Sequence, residues 1–211
     1  MKKIPLICII MAAMLEAKPF VNGLSLMKDI RGPFDVYRKD NLILAVSGVG
    51  KTNAAAATAY CCQEFHPSIV CNLGAAGATD ISHGLGEIYH IEELMEYDRP
   101  VFDTGAPYKH TPYIMKGFKT AKLATQDRAI VCADERKEIS PYADLVDMEG
   151  ASVVQTCSIF QTNCTVFKFV SDTPDHTTGH DIVKNIRLYR IPFYEFCLHS
   201  VIPILITGHS V

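Results

Sequence analysis

Short apolar, β-branched runs alternate along this chain with segments long enough to be helices, and that alternation constrains the fold more than any other feature. The runs at 4 to 12, 42 to 47, 67 to 72 and 165 to 170 are apolar nearly throughout, as strands covered on both faces are. The helical candidates are 51 to 65, 133 to 140, 149 to 161 and 181 to 200. Buried strands separated by helices predict an α/β fold: a three-layer α/β/α domain with a central mixed, mostly parallel twisted sheet. The chain has 211 residues, and 1–211 suits one such domain with a single core.

In sheets of this kind ligands bind beyond the carboxyl ends of the strands. The segments to examine are therefore Ala13 to Phe20, Ser47 to Thr52, Gly74 to Thr79 and Ser171 to Asp175. The stretch from Tyr97 to Lys119 carries three prolines and two glycines and reads as an irregular excursion from the core.

Composition removes several function classes. Lys and Arg number 20 against 23 Asp and Glu, with no basic cluster, so a nucleic-acid partner is not expected. No apolar run reaches the roughly 18 residues of a membrane span. The eight cysteines sit mostly in apolar runs and form no C-x-x-C pair, so neither a metal site nor a cofactor is expected. Lys2 and Lys3 followed by I-P-L-I-C-I-I-M-A-A-M-L imitate a signal peptide, but the run ends in L-E-A-K-P-F without a small-x-small cleavage site. Read as a buried strand instead, the run leaves the protein in the cytoplasm.

S-G-V-G-K-T at 47 to 52 imitates a nucleotide-binding phosphate loop. That loop needs a glycine five positions before Gly50, and Ala45 stands there. The segment reads instead as a tight strand-to-helix turn, in which Gly48 and Gly50 bring backbone close to a ligand and the helix start favours an anion or a polar oxygen.

Three separated segments place an acid near a strand end: Glu16, Glu149 in D-L-V-D-M-E-G-A, and Asp172 in F-K-F-V-S-D-T-P-D. A carboxylate beside apolar strands must be paired, solvated in a cleft or shifted in pKa, so three converging would mark a site. The pieces G-V-G-K-T-N-A-A-A-A-T, N-L-G-A-A-G-A, V-D-M-E-G-A and V-S-D-T-P-D, in this order, resemble the nucleoside phosphorylase and nucleosidase superfamily over about residues 4 to 200. Within it the chain is most similar to the methylthioadenosine/S-adenosylhomocysteine nucleosidases.

The resemblance implies hydrolysis of the N-glycosidic bond of 5′-substituted adenine nucleosides, and it assigns roles. Asp172 matches the acid that donates to purine N7 and accepts from the 6-amino group, with Ser171 holding it. Glu149 matches the residue that binds the ribose hydroxyls, with Met148 beneath the sugar. Glu16 matches the acid that activates the attacking water. Ala75, Gly77, Ala129, Ile130, Gly48 and Lys168 fall at substrate-binding positions. The family often stacks an aromatic residue on the base where Ala129 stands, and it has a hydroxyl where Ala75 stands. Phe160, Phe169 and Phe193 are available as substitutes but read as core residues.

Phosphorolysis is the alternative reaction, and a bound phosphate calls for arginines and a hydroxyl in the glycine-rich loops. N-L-G-A-A-G-A carries neither, so water is the expected nucleophile. Asp172, rather than the asparagine of enzymes for 6-oxopurines, implies adenine as the leaving group. Family members commonly borrow residues from a neighbouring subunit, which implies a homodimer with the Tyr97 to Lys119 excursion as the lending surface. A nucleotide-hydrolysing switch and a non-catalytic nucleoside sensor are the competing classes.

Overall fold

A computed structural model describes residues 4–176 and 178–207. Lys2 and Lys3, the basic start of the signal-like pattern, lie outside these residues. The order is β1 (Ile7–Met11), α1 (Met14–Gly23), β2 (Met27–Asp29), β3 (Asp35–Lys39), β4 (Leu42–Val46), α2 (Lys51–Phe65), β5 (Ile69–Ala78), β6 (Ile88–Pro100), β7 (Pro107–His110), β8 (Thr120–Thr125), α3 (Ala133–Ile139), β9 (Leu145–Asp147), α4 (Gly150–Ile159), β10 (Asn163–Asp172) and α5 (Gly179–Phe196). A π-helical turn, Cys197–Val201, carries α5 into α6 (Ile202–Thr207).

The apolar run near the N-terminus is strand β1, buried along its whole length and paired in parallel with β4 on one side and β5 on the other. Its side chains alternate between two cores, as the period of two requires. Cys8 and Ile10 face the layer that holds α2 and α4, and Ile7, Ile9 and Met11 face the layer that holds α1 and α5. The buried residues of α2 are Ala54, Ala57, Thr58, Cys61 and Cys62, a stripe at helical spacing with small side chains that let α2 pack closely on the sheet. On the opposite layer Phe20 of α1 meets Phe193 and Tyr194 of α5 edge-to-face. The three-layer α/β/α arrangement follows.

The sheet is mixed. β4, β1, β5 and β10 are parallel neighbours at its centre, and β6, β8 and β9 continue the parallel pairing beyond them. Antiparallel contacts of β10 with β6 and of β9 with β5 fold that end of the sheet back on β5, while β3 and β2 extend the other end. This closure brings the ends of β5, β9 and β10 together.

The excursion at 97–119 is more regular than its prolines suggest. β6 continues to Pro100, and β7 returns antiparallel to it, with Pro100 opposite Pro107 at the hairpin end of the ladder. Proline is tolerated there because no further ladder hydrogen bond needs its missing N–H. Among the described residues no helix is long and apolar enough to cross a membrane.

Candidate active site

A cleft with a cavity volume of about 190 Å³ opens beyond the carboxyl ends of the strands. It is walled by residues that follow β1, β4, β8 and β9 and by the final turns of β5 and β10, with Ile182 and Ile186 of α5 along one side.

Glu16 enters from the first turn of α1, where the helix dipole favours a negative group. The Ala75 N–H donates to its Oε1 at 2.7 Å. Burial pushes the Glu16 carboxyl above its ordinary value, opposed by the Ala75 hydrogen bond and by nearby Lys168.

Glu149 stands at the N-cap position of α4 and reaches across the cleft floor to the start of α2, where the Gly50 N–H donates to its Oε1 at 2.8 Å. Burial, then the negative charge of Asp147, push its pKa up to about 7. The phosphate-loop imitation is explained here. Gly50 has φ of 101°, a conformation that side chains disfavour, and it turns its N–H toward Glu149. The next N–H, of Lys51, donates to Asp127 Oδ1 at 2.8 Å. The anion-favouring helix start is occupied by the chain's own carboxylates.

Asp172 ends β10. The register of β10 against β5 slips between Val170 and Asp172, and this bulge sets the Asp172 side chain on the cleft wall. The Ser171 hydroxyl donates to Asp172 Oδ1 at 2.5 Å.

Ten of the substrate- or acid-assigned positions line this one cleft: Glu16, Ala75, Gly77, Ala129, Ile130, Met148, Glu149, Lys168, Ser171 and Asp172. Gly48 does not line it. Its N–H bonds the Ala12 carbonyl at 3.1 Å, which ties the loops after β1 and β4 together, and its neighbour Val49 takes the place on the wall. Phe169 and Phe193 are core residues, whereas Phe160 at the end of α4 is 38% exposed, and none of the three reaches the cleft. Ala129 is exposed at the mouth.

Lys168 lines the cleft but is not a free cation. It is buried, with Nζ 2.9 Å from Asp147 Oδ2. Burial works to lower its pKa, yet Asp147, Glu149 and Glu16 outweigh burial and hold the ammonium form above its usual range. Asp147 is fixed in turn by the Thr125 hydroxyl at 2.6 Å and the Gly150 N–H at 2.8 Å.

Sequence reading missed two of these groups. Asp147 was signalled by its place two residues before Glu149 in the same motif. Arg136 was hidden in the charged run A-D-E-R-K-E, which reads as a surface helix, but it is fully buried and paired with Asp172.

A profile of the phosphorylase superfamily matches residues 34–140. Among curated proteins the chain is similar to a 5′-methylthioadenosine/S-adenosylhomocysteine nucleosidase of Staphylococcus aureus (strain MRSA252), 26% identical over an alignment covering 65% of this chain and 71% of the relative. Its fold is similar to that of the Arabidopsis thaliana 5′-methylthioadenosine nucleosidase in apo form, at TM-score 0.85 and 20% identity over 97% of each chain. It is also similar to that of the Neisseria meningitidis 5′-methylthioadenosine/S-adenosylhomocysteine nucleosidase in complex with methylthio-immucillin-A, at TM-score 0.78 and 22% identity over 90% of this chain and 95% of that one. The profile match spans half of the sequence and runs through the centre of the sheet described above: the chain belongs to the phosphorylase superfamily.

Proposed function

We propose that this protein hydrolyses the N-glycosidic bond of 5′-substituted adenine nucleosides, methylthioadenosine and S-adenosylhomocysteine, and releases adenine. The observation that carries this reading is the convergence of Glu16, Glu149 and Asp172, from three distant segments, on one cleft.

Departure of a purine leaves a ribose with oxocarbenium character, so a catalyst must protonate the base, balance the sugar's charge and prime a nucleophile. Asp172 gives its proton to N7 as the C–N bonding pair withdraws onto the base, and its carboxylate accepts from the 6-amino group. Ser171 holds it. Glu149, ionised, binds the ribose hydroxyls and offsets the developing positive charge. Glu16 takes a proton from the water that adds to the anomeric carbon. Met148 packs under the ribose, Ala75 and Gly77 provide backbone beside it, and Ala129 and Ile130 border the base.

Water rather than phosphate is the nucleophile because the cations on the cleft wall are already engaged. Lys168 is held by Asp147, and Arg128 forms paired hydrogen bonds with Glu135. A phosphate dianion would meet Glu16 and Glu149 without a free partner. Incubating the protein with methylthioadenosine in the absence and presence of phosphate tests this. Adenine and free sugar in both conditions are expected. A strict need for phosphate, with a sugar phosphate as product, would identify a phosphorylase, and tight binding without turnover a sensor.

The protein acts as a cytoplasmic homodimer in this proposal. The exposed Phe102, Tyr108 and Tyr113 around the β6–β7 hairpin give an apolar surface that a second copy would cover. Light scattering at micromolar concentration should report a dimer, and a monomer would overturn this part.

A further inference from the structure

Arg136 is the largest side chain sealed in the core, with no exposed surface. It belongs to α3, a two-turn helix whose other cation, Lys137, faces solvent, so a buried guanidinium there needs a reason. Its Nη1 donates to the Ala78 carbonyl at the end of β5, at 2.6 Å. Its Nη2 donates to the Ile130 carbonyl on the cleft wall at 2.6 Å and pairs with Asp172 Oδ2.

Gly77 marks how tightly these groups meet. A Cβ at this position would lie 2.6 Å from Asp172 Oδ2 and 2.8 Å from Arg136 Nη1, so any side chain there would displace the pair. If Arg136 only fastened α3 to the sheet, carbonyl acceptors would suffice. Its remaining partner is the very carboxyl group assigned to protonate the base.

We propose that Arg136 is the positioning residue of the proton donor: it fixes Asp172 in register with Ile130, and it favours the carboxylate that remains at Asp172 once the proton has moved to the base. This rests on the hydrolase reading given above. When the C–N bond breaks, its electron pair passes to the base, the Asp172 proton moves to N7, and a negative charge appears on a buried carboxylate. Ser171 then donates to one oxygen and Arg136 to the other, so the charge forms in a preorganised setting.

The other charged groups around Asp172 do not substitute for Arg136. Lys168, on the same strand, is held by Asp147, and Glu16 and Glu149 share the cleft as anions or neutral acids. From the segment after β10, His176 bonds Thr173. From β5 the approach to Asp172 is backbone, at Gly77.

The test compares wild type, Arg136→Lys and Arg136→Met by two readouts. The first is the split between kcat and KM for adenine release from methylthioadenosine at the pH optimum of wild type. The second is hydrogen–deuterium exchange of residues 126–132 in the ligand-free protein, which needs no turnover. In Arg136→Met kcat should fall about tenfold or more while KM stays within about threefold of wild type. Arg136→Lys keeps the charge but not the forked geometry, so its kcat should stay within about threefold of wild type. Exchange in 126–132 should rise about tenfold in both variants.

A kcat within about threefold of wild type in Arg136→Met overturns the electrostatic role, and unchanged exchange overturns the positioning role. Should Arg136→Met fail to fold, Arg136→Lys decides: a kcat more than about tenfold below wild type, or unchanged exchange, contradicts the proposal. Wild type that releases no adenine overturns the hydrolase reading and the acid role with it, and exchange still decides whether Arg136 clamps the cleft wall.

Discussion

Lys168 Nζ lies 2.9 Å from Asp147 Oδ2, and the two side chains retain 2% and 1% of their exposure. The pair sits under a cleft whose wall also carries Glu16 and Glu149, so one ammonium group stands among three carboxyl groups. Its presence allows acids to be packed so closely without all of them being neutral.

Replacing Lys168 with Met should therefore destabilise the fold by about 3–5 kcal/mol, the cost of leaving a buried carboxylate without its partner. Urea unfolding at pH 7.5 measures this. The double variant Lys168→Met, Asp147→Asn should recover much of the loss, and a single-variant effect below about 1 kcal/mol would show that the pair is better solvated than its burial indicates.

Glu149 gives a pH signature with a defined sign. It binds its proton up to about pH 7 in the folded protein, against an ordinary value of 4.5, so between those limits the folded state holds more protons than the unfolded state. Its contribution to stability should thus be largest below pH 4.5 and should be lost as pH rises through 7. Glu149→Gln should gain stability on the order of 1 kcal/mol over wild type at pH 8 and nothing at pH 4, by thermal unfolding. Catalysis runs the other way, because the sugar cation needs the ionised form. The acid limb of kcat/KM should lie near pH 7 and belong to the coupled carboxyl cluster as a whole.

Ala129 leaves the mouth of the cleft without an aromatic face. Ala129→Phe should add base stacking of about 1–2 kcal/mol and lower KM for methylthioadenosine roughly tenfold, with kcat changed less. An unchanged KM would place the base elsewhere along the wall.

The parts of the fold legible in the sequence were those with one dominant signal. I-C-I-I-M, L-I-L-A-V and the first half of β5 are apolar on both faces, and 51 to 65 is the span of α2. β6 was hidden because I-Y-H-I-E-E-L-M-E-Y-D-R-P mixes buried and charged residues and includes the buried Glu96, which is paired with Arg99 and hydrogen-bonded with His110. β8 and β9 are short and are defined by sheet pairing rather than by their own composition. α1 was read as the segment after a strand, since Pro19 interrupts its pattern.

At the site, the acids were legible because carboxylates beside apolar strands are costly and hence conspicuous. Their cationic partners were not. Lys168 lies inside an apolar strand and Arg136 inside a charged helix, and only the closure of the sheet brings them to the acids. Gly48 was placed on the cleft wall because glycines in such turns approach ligands, but the turn points Val49 there instead.

The central claim, that Asp172 supplies the proton on which adenine departs, is tested most directly by the single-turnover rate of adenine release from methylthioadenosine by Asp172→Asn at the pH optimum of wild type. The account predicts a loss of at least 100-fold, with substrate still bound. Release by Asp172→Asn within a few-fold of the wild-type rate would contradict it.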